Sequence, residues 1–147
     1  MITKSSKYAI RALVYIQLQN WQNKRPGVPE IASEIEAPVA YCAKILHTLT
    51  THNLLDSMKG RGGGFFFDEN QSNLTLYQVI LVMEGDSAFT RCGFGLKNCS
   101  DAQPCPLHKE YSILREGFLS LSKSETIESL SKKVLNKEAV LNTSSIL

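Results

Sequence analysis

The chain lacks any apolar run long enough to cross a membrane, and its 43% apolar content is ordinary for a globular protein. The opening Met1-Ile2-Thr3-Lys4-Ser5 has none of the charged-then-apolar pattern of a secretory leader, so a cytoplasmic protein is expected. There is no Walker Lys-Ser/Thr, no dinucleotide fingerprint, no nucleophile–base pair and no paired carboxylates in a plausible cleft, which argues against an enzyme and against a small-molecule substrate. Net charge is only +2. Its distribution is uneven: residues 1–67 carry eight Lys/Arg against four Asp/Glu, and residues 68–147 carry eight against ten. The N-terminal half is therefore the part suited to phosphates.

Cysteine is scarce, but three of the four fall together. Cys92, Cys99 and Cys105 with His108 read C-x6-C-x5-C-x2-H, in a loop of Gly, Asn, Ser, Asp and Pro over 93–106. In a reducing compartment such clustering favours metal or redox chemistry over structural disulfides. The same donors suit a labile metal centre or a structural zinc, although the tight C-x2-C knuckle usual for zinc is missing. A metal-free thiol pair is the remaining alternative. Cys42 falls on an apolar helix face and reads as a core residue.

Upstream, residues 4–20 carry Ala9, Ala12, Leu13, Ile16 and Leu18 at helical spacing, with Lys4, Lys7 and Arg11 on the other side. Asn20 to Gly27 is a polar break. A short helix over 28–36 has Pro29 in its first turn and Ile31, Ala32 and Ile35 inward. Ala37-Pro38 separates it from a helix over about 38–53. That helix buries Cys42, Ile45, Leu46 and Leu49 and turns Ala40, Tyr41, Ala43, Lys44, His47 and Thr48 outward. Two helices around a tight junction suit a helix-turn-helix or any small helical bundle.

The next segment favours the first, although a glycine-rich run also suits a plain flexible turn or a phosphate cradle. A strand over 54–59, the run Gly60-Arg61-Gly62-Gly63-Gly64 and a strand over 65–67 form a hairpin wing, with Lys59 and Arg61 at its tip. A glycine-rich tip approaches a surface closely, and its cations suit an electronegative minor groove. The predicted fold class is mainly α with a small β-hairpin wing: a winged helix-turn-helix domain over 1–85 (wing 54–67). A cysteine-rich loop follows over 86–106, then a long dimerisation helix with a short closing helix over 107–135, and a flexible tail over 136–147. Residues 75–85 form the last helix of the first domain, with Thr75 as N-cap and Gly85 as stop. Leu107, Tyr111, Leu114, Phe118 and Leu121 recur at heptad-like spacing. Such a seam packs either on its own domain or on a second copy; the two-fold habit of major-groove readers favours a homodimer. Ser124-Glu125-Thr126 opens the closing helix, with Ile127, Leu130 and Val134 apolar.

These segments together resemble the bacterial Rrf-type transcription regulators, and among them the IscR-type iron–sulfur members most. The resemblance rests on Lys4-Ser5-Ser6-Lys7-Tyr8-Ala9-Ile10-Arg11-Ala12-Leu13, Ile31-Ala32, Gly60 with Gly62-Gly63-Gly64, the three-cysteine loop and Glu125-Thr126-Ile127-Glu128-Ser129-Leu130. It spans about residues 2–135. It implies a dimeric winged-helix regulator of double-stranded DNA that senses iron–sulfur status, redox or nitric oxide. Cys92, Cys99 and Cys105 stand at the places of the cluster cysteines and His108 at that of the histidine, with the first interval one residue longer than in that group. A mixed cysteine–histidine set points to [2Fe–2S] over [4Fe–4S]. Some relatives take an aspartate from the partner's first helix, where this chain has Lys7-Tyr8. Base edges would be met by Tyr41, Lys44 and His47 with Pro38 and Ala40 nearby, and phosphates by Lys4, Lys7 and Arg11. A metalloprotein or electron carrier, or a cluster-free thiol sensor acting through a protein partner, is the competing class; neither uses a basic wing.

Overall fold

The computed structural model describes residues 2–71 and 73–143. Helix α1 (Lys4–Asn20) begins at Thr3, whose hydroxyl accepts the Ser6 amide at 3.3 Å. Its apolar positions are more numerous than one face can hold. Ala9, Ala12, Leu13 and Ile16 are fully buried, and Val14, Tyr15 and Gln17 nearly so. Helices α2 (Val28–Glu34) and α3 (Val39–Thr51) pack on it and on each other. Ile31, Ile35, Cys42, Leu46 and Leu49 are at 0% exposure between them. Pro29 sits in the first turn of α2, where its missing N–H costs no helical hydrogen bond. Ala37-Pro38 turns the chain into α3, because a residue before proline is driven out of the helical region. Burial raises the Cys42 thiol above its ordinary range and confirms it as a core residue.

The wing is shorter than expected. Strands β1 (Asp56–Met58) and β2 (Gly64–Phe66) pair antiparallel with Asp56 opposite Phe66 and Met58 opposite Gly64. Leu54 and Leu55 leave the strand because Leu55 is fully buried in the helical core. What the polar break over 20–27 concealed is a third lane of the wing. The Phe65 amide donates to the Pro26 carbonyl at 2.9 Å. Asn20 spans the junction, donating to the Phe65 carbonyl at 3.2 Å and accepting the Phe67 amide at 3.0 Å. Gly64 has φ +143°, and a Cβ there would lie 2.2 Å from the Arg25 carbonyl oxygen. That is a position for glycine alone.

Helix α4 (Leu76–Glu84) has a full capping box between Thr75 and Gln78 and stops at Gly85 (φ +79°). A short helix, α5 (Ser87–Thr90), follows inside the stretch expected to be loop. It forms because Ala88 and Phe89 are buried against Ile80, with Phe89 stacked on Phe118 at 5.2 Å. Helix α6 (His108–Ser124) leads to α7 (Ile127–Leu135), whose own capping box joins Thr126 and Ser129. The two capped starts are held side by side by Leu76 N–H to Glu125 C=O at 3.0 Å and Ile127 N–H to Leu74 C=O at 2.8 Å. Helix α7 then lies along α1 with Ile127, Leu130 and Val134 inward.

The seam on α6 divides. Tyr111 and Phe118 turn toward their own domain, while Leu107, Leu114 and Leu121 are 46%, 59% and 51% exposed, beside Ile113 at 64%. The expected loose tail over 136–147 is partly docked. Leu141 packs against the core, and the Asn142 amide donates to the Glu34 carbonyl at 2.8 Å; residues 144–147 lie outside the described residues. Among the described residues no helix is long and apolar enough to cross a membrane.

Glu84, at the end of α4, grips the start of α1. It accepts from the Thr3 amide at 2.8 Å and from the Ser6 hydroxyl. Burial acts to raise its carboxyl, but the Ser6 and Thr3 hydrogen bonds and the nearby Arg91 charge outweigh this and hold it below the usual range. Glu84→Gln should therefore cost about 1–2 kcal/mol at neutral pH. With a folded value below the unfolded one of about 4.3, the deficit is full above that value and closes as pH falls through the folded one. Urea melts at neutral and acid pH check this; a deficit independent of pH would contradict it. In the wing, Gly64→Ala should cost about 1–3 kcal/mol or more. Gly62→Ala, with φ +76° but open space around it, should cost about 1 kcal/mol, and thermal melts of the two variants give the comparison.

A thiol cluster beside a candidate nucleic-acid interface

The segment after α5 buries almost none of its apolar side chains, so its shape depends on anchors to α6. The Arg115 guanidinium donates to the Arg91 carbonyl at 2.9 Å, fixing the residue before Cys92. Gly93 lies flat on the Tyr111 ring, where a Cβ would come within 2.4 Å of ring carbons. The loop then returns through Cys105, which is buried, and its carbonyl accepts the His108 amide at 3.1 Å as α6 begins.

These anchors bring together the three cysteines that lie seven and six residues apart in sequence. The Sγ atoms of Cys92, Cys99 and Cys105 all lie within 4.8 Å of one another, and those of Cys92 and Cys105 are 3.6 Å apart. His108 joins through Cys99, with Nδ1 3.0 Å from its sulfur. The other ring nitrogen, Nε2, is 2.8 Å from the Asp101 carboxylate. A carboxylate only accepts, so Nε2 is the donor in that contact, while Nδ1 faces the Cys99 sulfur. This is the arrangement by which a carboxylate orients a ligating imidazole. The sequence reading missed Asp101, although a carboxylate inside the loop was the available signal.

The thiols differ. Burial acts to raise Cys92, but the backbone amides of Leu96 and Phe94 and the neighbouring thiols Cys105 and Cys99 outweigh it and bring it down to about 7. Cys105 goes up, chiefly by burial and with help from the other two thiols, against one backbone hydrogen bond from Leu107. Three converging soft donors fit a thiolate-ligated metal centre, with His108 against Cys99 at the edge of that set.

Tyr41, Lys44 and His47 project from one exposed side of α3, with Pro38 and Ala40 exposed at its start. Lys4 reaches that side through Tyr8: its Nζ is 5.7 Å from the Tyr8 ring, which meets Tyr41 edge-on at 5.7 Å. Lys7 is exposed beside it. Arg11 is placed differently, lining a shallow depression with Ile10, Val14, Leu130 and Leu141 between α1 and α7. Lys59 and Arg61 are exposed at the wing tip.

Comparison with known proteins agrees with this architecture. The family profile described as "Rrf2: Iron-dependent Transcriptional regulator" matches residues 2–133. Protein aau3 of Rhizobium meliloti is 30% identical over 132 residues, covering 89% of this chain and 84% of that protein. The HTH-type transcriptional regulator IscR of Photorhabdus laumondii is 23% identical over 141 residues, covering 96% and 82%. In three dimensions the chain superposes on CymR, the global cysteine regulator of B. subtilis, with a TM-score of 0.72 at 17% identity, covering 90% and 96% of the two chains. That likeness shows the winged-helix fold. The chain belongs to the Rrf2 family of transcriptional regulators, and is a regulator of transcription rather than an enzyme.

Proposed function

We propose that this regulator is a cytoplasmic homodimer that binds double-stranded DNA and adjusts that binding through a [2Fe–2S] cluster held by Cys92, Cys99, Cys105 and His108. The observation that supports the reading is the meeting of three thiols within 4.8 Å, with an imidazole nitrogen 3.0 Å from the Cys99 sulfur. When bound, the cluster supplies a centre sensitive to electrons, oxidants and nitric oxide; one histidine among three thiolates raises its potential and weakens its hold. The chain's own residues supply everything else. Asp101 holds the proton on Nε2 of His108, and Arg115 and Gly93 join the start of the loop to α6.

Coupling to DNA would run along short connections. Cys92 follows α5, which is packed on α4; Glu84 at the end of α4 holds Thr3 and Ser6, at the start of the helix that carries Lys4 and Lys7. The exposed Leu107, Leu114 and Leu121 suit a second copy of α6, so a shift of the loop would alter the spacing of the two readers. In each reader Tyr41, Lys44 and His47 enter a major groove, Pro38 and Ala40 approach it, and Lys4 and Lys7 meet phosphates. Lys59 and Arg61 enter the flanking minor groove.

Protein isolated without oxygen should be coloured and contain iron and sulfide in equal amounts. Cys99→Ala should abolish the colour, and His108→Ala should shift the spectrum and speed cluster loss. A colourless protein containing zinc would overturn the cluster. Gel-shifts of the protein's own promoter region with loaded and stripped protein should differ in affinity about tenfold or more; equal affinity refutes the switch and leaves DNA binding standing. Lys59→Ala with Arg61→Ala should lower the salt slope of duplex binding by about 0.9 per lost phosphate contact and leave the visible spectrum unchanged. An electron carrier would show no such loss.

A further inference from the structure

Two cations that the wing reading left aside, Lys24 and Arg25, stand beside it. The Arg25 guanidinium lies 4.1 Å from the centre of the Phe66 ring, and its Nη1 is 3.4 Å from the Met58 sulfur. Met58 is the residue immediately before Lys59, so Arg25 sits directly behind the tip cations. Its backbone is built into the wing through Phe65 and Pro26, and the Lys24 carbonyl is held by the Asn20 amide at 2.9 Å. Asn20, Asn23, Lys24, Arg25, Phe66 and Phe67 line a hollow of about 350 Å³. Two cations and two amides face it and no carboxylate does. Among the described residues none of Lys24, Arg25, Lys59 and Arg61 takes part in an ion pair.

We propose that Lys24 and Arg25 form a second cationic prong that grips backbone phosphates of the duplex next to the groove the wing enters. The assignment rests on the DNA-binding reading above and extends its footprint. Three features favour duplex phosphate over a free nucleotide. The Phe66 ring is covered by the guanidinium and Phe67 packs against the helical core, so neither offers a free face on which a base could stack. Arg25 is pinned between an aromatic ring and a thioether, so little side-chain entropy is lost when it takes a phosphate. Arg25 also touches Met58, the residue before Lys59, so the two pairs of cations belong to one wing.

The test uses full-length protein and a random-sequence duplex of roughly 40 base pairs, about four helical turns, since non-specific binding is carried by phosphate contacts. Lys24→Gln and Arg25→Gln should each lower the salt slope by about 0.9 per lost contact, and the pair together should weaken binding about tenfold at moderate salt. Lys137→Gln, exposed beyond the end of α7 and outside the hollow, should change neither. Arg25→Lys separates charge from structure: it should recover most of the slope, whereas a merely structural Arg25 would leave it as impaired as Arg25→Gln. Unchanged slopes for Lys24→Gln and Arg25→Gln in a protein that still binds duplex overturn the prong alone. A wild-type protein indifferent to duplex at low salt overturns the prong together with the DNA-binding reading. Saturable calorimetric binding of ATP or inorganic phosphate, lost in the double variant while duplex affinity is kept, would reassign the hollow to a free nucleotide or anion.

Discussion

Helix α1 is buried on nearly every side, and the working parts of the molecule take their positions from that burial. It touches α2, α3, α4, α7 and β2. An ordinary surface helix buries one stripe; this one also buries Val14, Tyr15 and Gln17 beyond its main stripe. Each fully buried Leu or Ile contributes about 2 kcal/mol of burial, and these contacts are shared among the reading helix, the wing and the closing helix. Displacing α1 would disturb all three together. Its start is held by Glu84 and its end by Asn20, so the helix is tied at one end to the segment leading toward the cysteines and at the other to the wing.

The cysteine loop follows a different rule. It holds few buried apolar groups, and Phe94 and Leu96 are exposed. Its order comes from a few polar and steric anchors: an arginine on a carbonyl, a glycine on an aromatic ring, and an imidazole between a thiol and a carboxylate. A segment of this kind is cheap to rearrange, because little apolar burial is lost when it moves. That property is compatible with the sensing role proposed for the loop.

Much of this architecture was legible in the residues. The stripes of α1, α2 and α3, the Thr75 cap, the Gly85 stop and the opening of α7 rest on contacts within four residues, and they fall within a residue or two of expectation. The glycine-rich wing was legible because its turn demands positive φ at Gly60 and Gly62. Less legible were the length of the strands, the helix at 87–90 and the docking of Leu141. In each of these a buried or half-buried side chain — Leu55, Phe89, Leu141 — answers to a surface supplied by a distant part of the chain.

By itself the sequence determined the order of helices, the hairpin between them and the presence of three thiols and an imidazole in one loop, because period, cap, turn and spacing are local chemistry. Tertiary structure alone decided which residues meet. It placed Arg25 against a strand more than thirty residues away and Glu84 against the start of the chain. It turned Tyr111 and Phe118 inward while Leu107, Leu114 and Leu121 stayed exposed, and it directed one histidine nitrogen to a thiol and the other to Asp101. Those pairings depend on how packed elements are offset from one another, and side-chain volumes across the whole core set that offset.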